Sequence, residues 1–333
     1  MSFFDASAGA SVRPCASRFS CSRASSTAGL SVVLDTLATA NDIAAENRRP
    51  RPFEVTLCGL ARAVTTAQGL RVSLAPAGAS ARPDVVVVPA LGCKTRDGMI
   101  AALERRDVRD LGALLRDWKK AGTRVAGACT ATFILASSGL LDGGRATTTW
   151  WLSPLFRERF PRVALDESRM IVESSRVVTA GAALAHVDLA LWLVRQRSPS
   201  LAQTAARYLV FDARPSQAAY VMSDHLAHAD PVVERFELWA RRHLTDFTLS
   251  DAARHVGASE RTLERRIRAT LGKTPLSFVQ DLRVEIAVHR LKTTKDSIEQ
   301  IATAVGYGDG VTLRTLLRRK TGRGIRELRA AMG

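Results

Sequence analysis

The feature that most constrains the fold is an internal repeat in the last hundred residues. The segments LSDAARHVG (249–257) and IEQIATAVG (298–306) match at an offset of 49, and with one inserted residue the match continues at an offset of 50 as far as Gly272 and Gly322. Each copy reads as an amphipathic helix, a glycine turn and a second helix rich in arginine, which is the pattern of a helix-turn-helix unit. The sequence therefore predicts two such units in tandem.

The second helix of each unit has the composition of a DNA-recognition helix. These helices lie in SERTLERRIRATLG (259–272) and DGVTLRTLLRRKTG (309–322). We expect Ser259 to cap the first of them. Polar side chains at the N-terminal end of such a helix can reach base edges, and arginines further along can contact phosphates. The predicted DNA-contacting residues are Ser259, Glu260, Arg261, Thr262, Arg265, Arg266, Arg268, Gly310, Thr312, Arg314, Thr315 and Arg318.

The distribution of charge supports an anionic partner for this part of the chain. The net charge is +16. Residues 261–333 hold 16 Lys and Arg against 7 Asp and Glu, a net of +9, so under a quarter of the chain carries more than half of the excess. Nucleic acid is the commonest partner of such a surface. The helical segment 275–294 between the two units is predicted to place them about 34 Å apart, one major-groove turn from each other.

Residues 26–205 alternate short β-rich runs with helical runs, which favours a parallel sheet covered by helices on both faces. The predicted fold is α/β, a doubly wound sheet of the flavodoxin-like type, followed by an all-α domain at 231–333 with a linker at 206–230. Residues 1–25 show no β pattern and are expected to be poorly ordered, so either the sheet lacks its first strand or the start of the sequence is unreliable. The clearest strands are FEVTLCG (53–59), DVVVVPA (84–90) and TRVAGA (123–128), and the clearest helices are 109–122, 130–141 and 183–197.

A cysteine follows one of these strands directly. Cys129 stands between TRVAGA and the helical run TATFILASSGLL, the position in which a nucleophile elbow places its reactive side chain. We expect the N–H groups at the start of the helix to lower the pKa of the Cys129 thiol. Catalysis would also need a base, and His186, inside an apolar helix, is the one histidine of the α/β region. A histidine in such a helix is more often a satisfied core residue than a base.

The C-terminal segment resembles the AraC/XylS-type DNA-binding domain over about 232–330. The residues that carry the resemblance are LSDAARHVGASERTLERRIRATLGKTPLSFVQDLRVEIAVHRL and SIEQIATAVGYGDGVTLRTLLRRKTG. Ile325 stands where that family commonly has a proline, which predicts a looser last turn. The resemblance implies sequence-specific binding to promoter DNA and regulation of transcription.

The N-terminal two-thirds resembles the PfpI-like, class I glutamine amidotransferase-like fold, in the GlxA type that is fused to AraC domains. The resemblance is carried by DVVVVPALG, AGACTATFILASSGLLDGGRATTTWW and VVTAGAALAHVDLALWLV. Members often have a histidine in the sequence Ala-Thr-Thr-His-Trp, and Thr149 occupies that position here. Since threonine cannot act as a base near neutral pH, we expect no catalytic residue and no enzymatic activity.

Cys129 then has three interpretations, which are the floor of a ligand pocket, a buried apolar residue, or a nucleophile of a cysteine hydrolase or amidase that carries a DNA-binding tail. We rank them in that order. A ligand pocket at the strand ends would be lined by Leu91, Gly92, Cys93, Cys129, Thr130, Thr149 and Trp150.

Composition excludes several other classes of protein. The five cysteines are an odd number and lack C-x-x-C spacing, so we expect reduced thiols in the cytoplasm, with neither disulfides nor a metal site. They are Cys15, Cys21, Cys58, Cys93 and Cys129. No apolar run approaches 18 residues, so we expect no membrane span. The expected partners are double-stranded promoter DNA, a small-molecule effector, RNA polymerase and a second copy of the chain, and no cofactor is expected.

Overall fold

The computed structural model describes residues 15–20, 25–77, 83–212, 214, 216–217 and 230–330. Predictions that concern residues 1–14, 21–24 and 331–333, and most of the predicted linker at 206–230, lie outside these residues. The chain packs as two units. The first, the α/β unit, extends to Leu152 and continues from Phe160 to Gln217, past the predicted boundary at 205. The second, the helical unit, comprises Ser153–Arg159 and the described residues from Asp230 on.

The α/β unit is built on a seven-stranded sheet in the order β10-β11-β7-β6-β1-β2-β5. All neighbouring strands run parallel except β10 and β11, which are antiparallel. The run β2-β1-β6-β7-β11 has the flavodoxin-like order, so the predicted doubly wound sheet is confirmed. The strands are β1 (Cys15–Ser20), β2 (Phe53–Gly59), β3 (Ala63–Thr65), β4 (Arg71–Ser73), β5 (Ala75–Pro76), β6 (Val85–Val88), β7 (Arg124–Ala128), β8 (Arg145–Ala146), β9 (Ala164–Leu165), β10 (Ile171–Ser174) and β11 (Val177–Ala180).

The first strand of the sheet corrects a sequence-based expectation. Residues 1–25 were expected to supply no strand, yet β1 lies in the middle of the sheet and pairs with both β2 and β6. Its sequence, CASRFS, contains no β-branched residue and no apolar alternation, so local propensity gives no signal. Two flanking strands supply backbone hydrogen-bond partners on both sides, and this pairing decides the conformation in place of propensity.

Helices cover both faces of the sheet. All four residues of β6, Val85–Val88, are buried, as a central parallel strand requires. On one face Val33 and Leu37 of α1 pack with Leu189 of α6 and with the sheet. The helices assigned so far are α1 (Thr27–Glu46), α2 (Arg96–Glu104), α3 (Arg106–Lys120), α4 (Ala131–Ser137), α5 (Ser153–Arg159, which packs with the helical unit), α6 (Ala185–Arg197) and α7 (Pro199–Tyr208).

The helical unit contains the two predicted helix-turn-helix units and a long connecting helix. Ile325, at the family's usual proline position, begins the last helix and packs against the core of the second unit. No helix among the described residues is long and apolar enough to cross a membrane. The helices of this unit after α5 are α8 (Pro231–Arg242), α9 (Leu249–Val256), α10 (Glu260–Leu271), α11 (Pro275–Thr293), α12 (Ile298–Ala304), α13 (Gly310–Thr321) and α14 (Ile325–Ala330).

His186 is a satisfied core residue of the α/β unit. Its Nε2 accepts the backbone N–H of Ala90 at 3.3 Å, and its Nδ1–H donates to the carbonyl of Ala183 at 2.6 Å. A Cβ added at Gly29 would lie 2.7 Å from Nε2, so helix α1 packs directly on the ring. Burial lowers the pKa of His186 from 6.5 to about 4. The imidazole is therefore neutral and fully engaged at physiological pH.

The buried histidine predicts a pH dependence of stability. Between about pH 6.5 and pH 4 the unfolded chain binds a proton at His186 while the folded chain does not, so the free energy of unfolding falls as the pH falls through this window. The depressed pKa corresponds to about 3 kcal/mol. Urea unfolding followed by tryptophan fluorescence measures the effect in a Trp239→Phe background, in which the four remaining tryptophans all belong to the α/β unit.

His186→Gln is the matched variant, because an amide can accept the Ala90 N–H but does not titrate in this range. Between pH 7 and pH 4 the free energy of unfolding of the variant should fall by about 3 kcal/mol less than that of the parent. Equal losses in the two proteins would contradict the assignment.

Candidate functional site

Glycine turns and side-chain caps define the two helix-turn-helix units. Gly257 ends α9 with φ 68°, and Gly306 occupies the equivalent turn with φ 83°, a region that residues with a side chain rarely adopt. Ser259 accepts the backbone N–H of Thr262 at 3.2 Å, which confirms the predicted cap. At the start of α13, Asp309 accepts the N–H of Thr312 at 2.7 Å. Both second helices therefore begin at fixed positions.

One face of each second helix is buried and the opposite face is exposed. Leu263 and Ile267 anchor α10, while Leu313 and Leu317 anchor α13. Arg268 pairs with Glu264 of the same helix at 2.8 Å. Within the described residues no ion pair holds the guanidinium groups of Arg261, Arg265, Arg314 or Arg318, so these charges can meet phosphates or base edges. The predicted contact residues on the exposed face are Ser259, Glu260, Arg261, Arg265, Arg268, Thr312, Arg314, Thr315 and Arg318, with Thr262 half-buried beside them.

Two of the predicted DNA contacts differ in the structure. Arg266 is turned toward Asp230, the cap of α8, and its Nη1 lies 3.2 and 3.1 Å from the two carboxylate oxygens. Its charge is engaged within the unit. Gly310 is buried, and a Cβ there would lie 2.8 Å from a carboxylate oxygen of Glu299 and 3.0 Å from Ile298. Gly310 lets α13 approach α12 closely, so its role is packing.

A carboxylate on the connecting helix joins the two units, and sequence reasoning missed it. Asp281 of α11 accepts Lys273, just after α10, at 2.8 Å and Lys320, near the end of α13, at 2.7 Å. The available signal was a lysine within two residues of the terminal glycine in each copy of the repeat, Lys273 after Gly272 and Lys320 before Gly322. The exposed Arg319 was missed as well, although it neighbours Arg318 on the basic end of α13.

The α/β unit has the geometry of a nucleophile elbow at Cys129. The residue lies between β7 and α4 with φ 58°, a strained conformation for a residue with a side chain. Gly127 is small for the predicted reason, since a Cβ there would lie 3.1 Å from Ala131 and 3.2 Å from Leu135. The backbone N–H of Cys129 donates to the carbonyls of Ala180 and Gly181 at 3.0 and 2.8 Å. That N–H group is therefore already occupied.

The electrostatics of Cys129 are opposite to the expectation. The side chain is only 4% exposed, and burial raises the pKa of the thiol from 9.0 to about 11, although the N–H of Thr130 and the hydroxyls of Thr149 and Thr130 act to lower it. We expected the start of the helix to lower this pKa. Helix α4 is short, and the loss of water outweighs its favourable N–H groups. The thiol is protonated at neutral pH.

Three consecutive threonines form the wall opposite Cys129. Thr147 accepts a side-chain amide and its N–H donates to Thr179 at 2.9 Å, while Thr148 donates to the carbonyl of Cys129 at 2.8 Å. The Thr149 hydroxyl faces the thiol and finds no oxygen or nitrogen partner among the described residues. The indole N–H of Trp151 is likewise buried without a partner in that part of the chain. Two polar groups of this segment are thus left for another molecule to satisfy.

Gln217 closes this region, and sequence reasoning did not identify it. Its amide N–H₂ donates to Thr147 Oγ1 at 3.1 Å and to the carbonyl of Thr148 at 2.9 Å. Its Oε1 accepts the N–H of Ala182 at 3.0 Å. The side chain is buried although it lies within the predicted linker. A glutamine in an apparent linker gives no sequence signal of burial.

The predicted pocket residues divide into a buried and an exposed group. Thr130 donates to the carbonyl of Leu91 at 2.7 Å, and both residues are buried beside Cys129 and Thr149. Gly92 is exposed, Cys93 is half-buried, and Trp150 packs edge-to-face on Trp151 with 5.5 Å between ring centroids. No cluster of His, Cys, Asp or Glu among the described residues could hold a metal ion.

Comparisons with known proteins identify a domain family and relatives that this chain resembles. The family model of a helix-turn-helix domain matches residues 252–331. The transcriptional regulator CdhR of Pseudomonas aeruginosa is 29% identical over 198 residues, which cover 58% of this chain and 59% of that protein. The transcriptional regulator GlxA of Rhizobium meliloti is 27% identical over 202 residues, which cover 58% of this chain and 61% of that protein. The chain thus spans about three fifths of the length of these relatives.

A solved structure shares the fold. A Vibrio parahaemolyticus protein assigned as a transcriptional regulator superposes with a TM-score of 0.51 at 16% identity, over 59% of this chain and all of that one. Identity at this level shows the fold alone.

The buried thiol predicts slow alkylation at Cys129. With a pKa near 11, the reaction with iodoacetamide should accelerate about tenfold per pH unit from pH 7 to pH 10 and show no plateau in that range. Mass spectrometry of the Cys129 peptide measures the rate, with the half-buried Cys93 as an internal comparison. After unfolding in urea, all cysteines should react alike. A plateau below pH 8 in the folded protein would show an activated thiol and contradict the assignment.

Proposed function

We propose that the chain is an AraC-family regulator of the GlxA type with a PfpI-like α/β unit, and that it regulates transcription by sequence-specific binding to DNA while its α/β unit senses a small molecule. The match to a helix-turn-helix domain and the similarity to the regulators CdhR and GlxA support this proposal. The observation that carries the proposal is the pair of helices α10 and α13. Each has a buried apolar face and an exposed face with at least two arginines that no ion pair in the described chain holds, Arg261 and Arg265 on α10 and Arg314 and Arg318 on α13. The proposal includes action in the cytoplasm on promoter DNA as a homodimer, with RNA polymerase as a further partner.

The alternative, a cysteine hydrolase or amidase, is not favoured. The Cys129 thiol is protonated at neutral pH, and Thr149 supplies no base. Both nitrogens of His186 are engaged in the core. The matched relatives are named as regulators of transcription. We therefore propose that the elbow binds and does not catalyse.

The threonine wall supports a sensing role for the elbow. Thr149 and Trp151 offer a buried hydroxyl and a buried indole N–H that have no oxygen or nitrogen partner among the described residues, so a ligand with hydrogen-bond acceptors would be stabilised there. The segment that leaves this region begins at Gln217, whose amide bonds the same wall. After residues 218–229, which lie outside the described chain, Asp230 is bonded to Arg266 of the recognition helix α10. The residue before this segment thus bonds the threonine wall, and the residue after it bonds a helix that we propose to contact DNA.

The DNA-binding part is tested by selecting binding sites for the full chain from a random duplex library. The selected duplex should bind at least about a thousandfold more tightly than random DNA at physiological salt. Arg265→Ala and Arg314→Ala should each weaken binding to the selected duplex by about 5- to 100-fold, because each removes a charge that can reach a base or a phosphate. Gel shift or fluorescence anisotropy at two salt concentrations measures both effects.

Arg106→Ala is the control, since it removes the same charge from the α/β unit at a side chain that is 90% exposed. It should change the dissociation constant by less than about twofold. Equal affinity for selected and random DNA would end the proposal.

The sensing part is tested with Thr149→Val, which removes the unpartnered hydroxyl at nearly constant volume. Wild-type protein is screened for thermal stabilisation by a panel of small carboxylates, amides and amines, and a compound at about a hundred times its dissociation constant should add about 2.7 kcal/mol of stability. Thr149→Val should lose most of that stabilisation while its DNA affinity without the compound stays unchanged. Thr39→Val, a change of the same kind on α1, should keep both. A stabilising compound that acts equally on Thr149→Val would place sensing elsewhere.

A further inference from the structure

The two recognition helices present different chemistry at equivalent positions. The repeat aligns Arg261 of α10 with Val311 of α13, and Arg265 with Thr315, while both helices have a threonine between these positions. Val311 is 69% exposed, an unusual position for a large aliphatic side chain. The two copies therefore share the apolar residues that anchor the second helix and differ in the side chains that this helix exposes.

The hydroxyl groups of Thr312 and Thr315 in α13 are engaged within the unit. Thr312 Oγ1 donates to Asp309 Oδ2 at 2.8 Å, and Thr315 Oγ1 donates to the carbonyl of Val311 at 3.0 Å. Both residues are exposed. With its proton engaged, each hydroxyl can only accept a hydrogen bond, so the methyl group is the apolar substituent that each presents to a partner. Val311 and Thr315 are four residues apart and share one face of the helix. The first turns of α13 thus carry a patch of methyl groups.

The matching threonine of α10 is bonded differently. Thr262 Oγ1 accepts the hydroxyl of Ser259 at 2.9 Å, which leaves its own O–H free to donate. Beside it Arg261 and Arg265 display guanidinium donors. The exposed start of α10 is consequently rich in hydrogen-bond donors, whereas that of α13 presents methyl groups beside a single guanidinium, that of Arg314.

We infer that α13 recognises thymines through their C5-methyl groups, with Val311, Thr312 and Thr315 as the residues that determine specificity. Arg261 and Arg265 of α10 read hydrogen-bond acceptors such as guanine O6 and N7 in the other half of the site. In the major groove thymine alone presents a methyl group, and aliphatic or threonine methyl contacts distinguish it from the other bases. The inference rests on the proposed function and specifies what each half of the DNA site contains.

The surroundings of the patch fit DNA. Arg314 is exposed between Thr312 and Thr315, and Arg318 and Arg319 are exposed further along the same helix, so the methyl groups lie within a basic surface that would approach the phosphates. A protein partner for an exposed valine would leave these three charges without a matching anion, whereas DNA accounts for both features. The N-terminal turns of a recognition helix are also the part that reaches base edges.

The test uses the duplex selected by the full chain and replaces single thymines by deoxyuridine, which lacks only the C5-methyl group. The half contacted by α10 is identified first as the half whose base preferences relax in Arg261→Ala, and the other half is the one contacted by α13. Within it, at least one substitution should weaken binding of the wild-type protein about three- to five-fold, as expected for the loss of one buried methyl contact. Replacing the same thymine by cytosine should weaken binding further, and 5-methylcytosine should restore part of the loss.

Variants separate methyl recognition from DNA shape. Val311→Ala should bind the thymine duplex more weakly and lose its sensitivity to deoxyuridine, since its exposed position makes the change harmless to folding. Val311→Arg, which copies Arg261, should shift the preference at that base pair from thymine to guanine. In the half contacted by α10, deoxyuridine should change the affinity less than about twofold.

The outcomes distinguish this inference from the proposed function. If no duplex is enriched over random DNA, the regulatory function itself is wrong. If a duplex is enriched but no deoxyuridine substitution in the α13 half weakens binding, or if Val311→Ala keeps the full sensitivity, methyl recognition by α13 is overturned while DNA binding stands.

Discussion

The placement of the two recognition helices depends on one helix and one carboxylate. Helix α11 has 19 residues and extends about 28 Å along its axis. Asp281 on this helix binds a lysine from each helix-turn-helix unit, and apolar residues of α11 pack into the core of the second unit. An ion pair at a half-exposed position adds little stability. Because one carboxylate pairs with a lysine from each unit, it instead fixes the C-terminal ends of α10 and α13 relative to each other.

In the α/β unit the dominant constraint is the exclusion of water. Cys129 and His186 are both fully buried, and burial moves each pKa in the direction that keeps the side chain neutral, upward for the thiol and downward for the imidazole. The two groups that could have supplied a nucleophile and a base are therefore uncharged at neutral pH. The strained elbow remains because β7, β11 and the threonine wall hold it by hydrogen bonds. An elbow that keeps its backbone conformation, with a neutral thiol and a neutral imidazole, is better suited to binding than to nucleophilic catalysis.

Patterns that repeat or alternate could be predicted from the sequence, and contacts that depend on distant partners could not. The tandem repeat predicted α9–α10 and α12–α13, with Ser259 as a cap, because these features are local. Strand β1 lacked any local signal and exists through its two neighbours in the sheet. Arg266 looked like its exposed neighbours until Asp230, 36 residues away, was seen to engage it. Gln217 lay in an apparent linker, and only the fold brings it to the threonine wall.

The same distinction explains why the exposed chemistry of α13 could not be predicted from the sequence. A sequence shows Thr312 and Thr315 as polar residues, each with a hydroxyl group that could reach a base. The hydrogen bonds to Asp309 and to the carbonyl of Val311 engage those protons, so each hydroxyl can only accept and the methyl groups become the apolar contacts that the helix offers. A threonine near the start of a helix can therefore contact a base through its hydroxyl or through its methyl group, depending on the hydrogen bond that the hydroxyl makes within the protein. In a duplicated motif, changes of this kind alter the specificity of one copy without disturbing the core, since the buried Leu263 and Ile267 of α10 occupy the same places as Leu313 and Leu317 of α13.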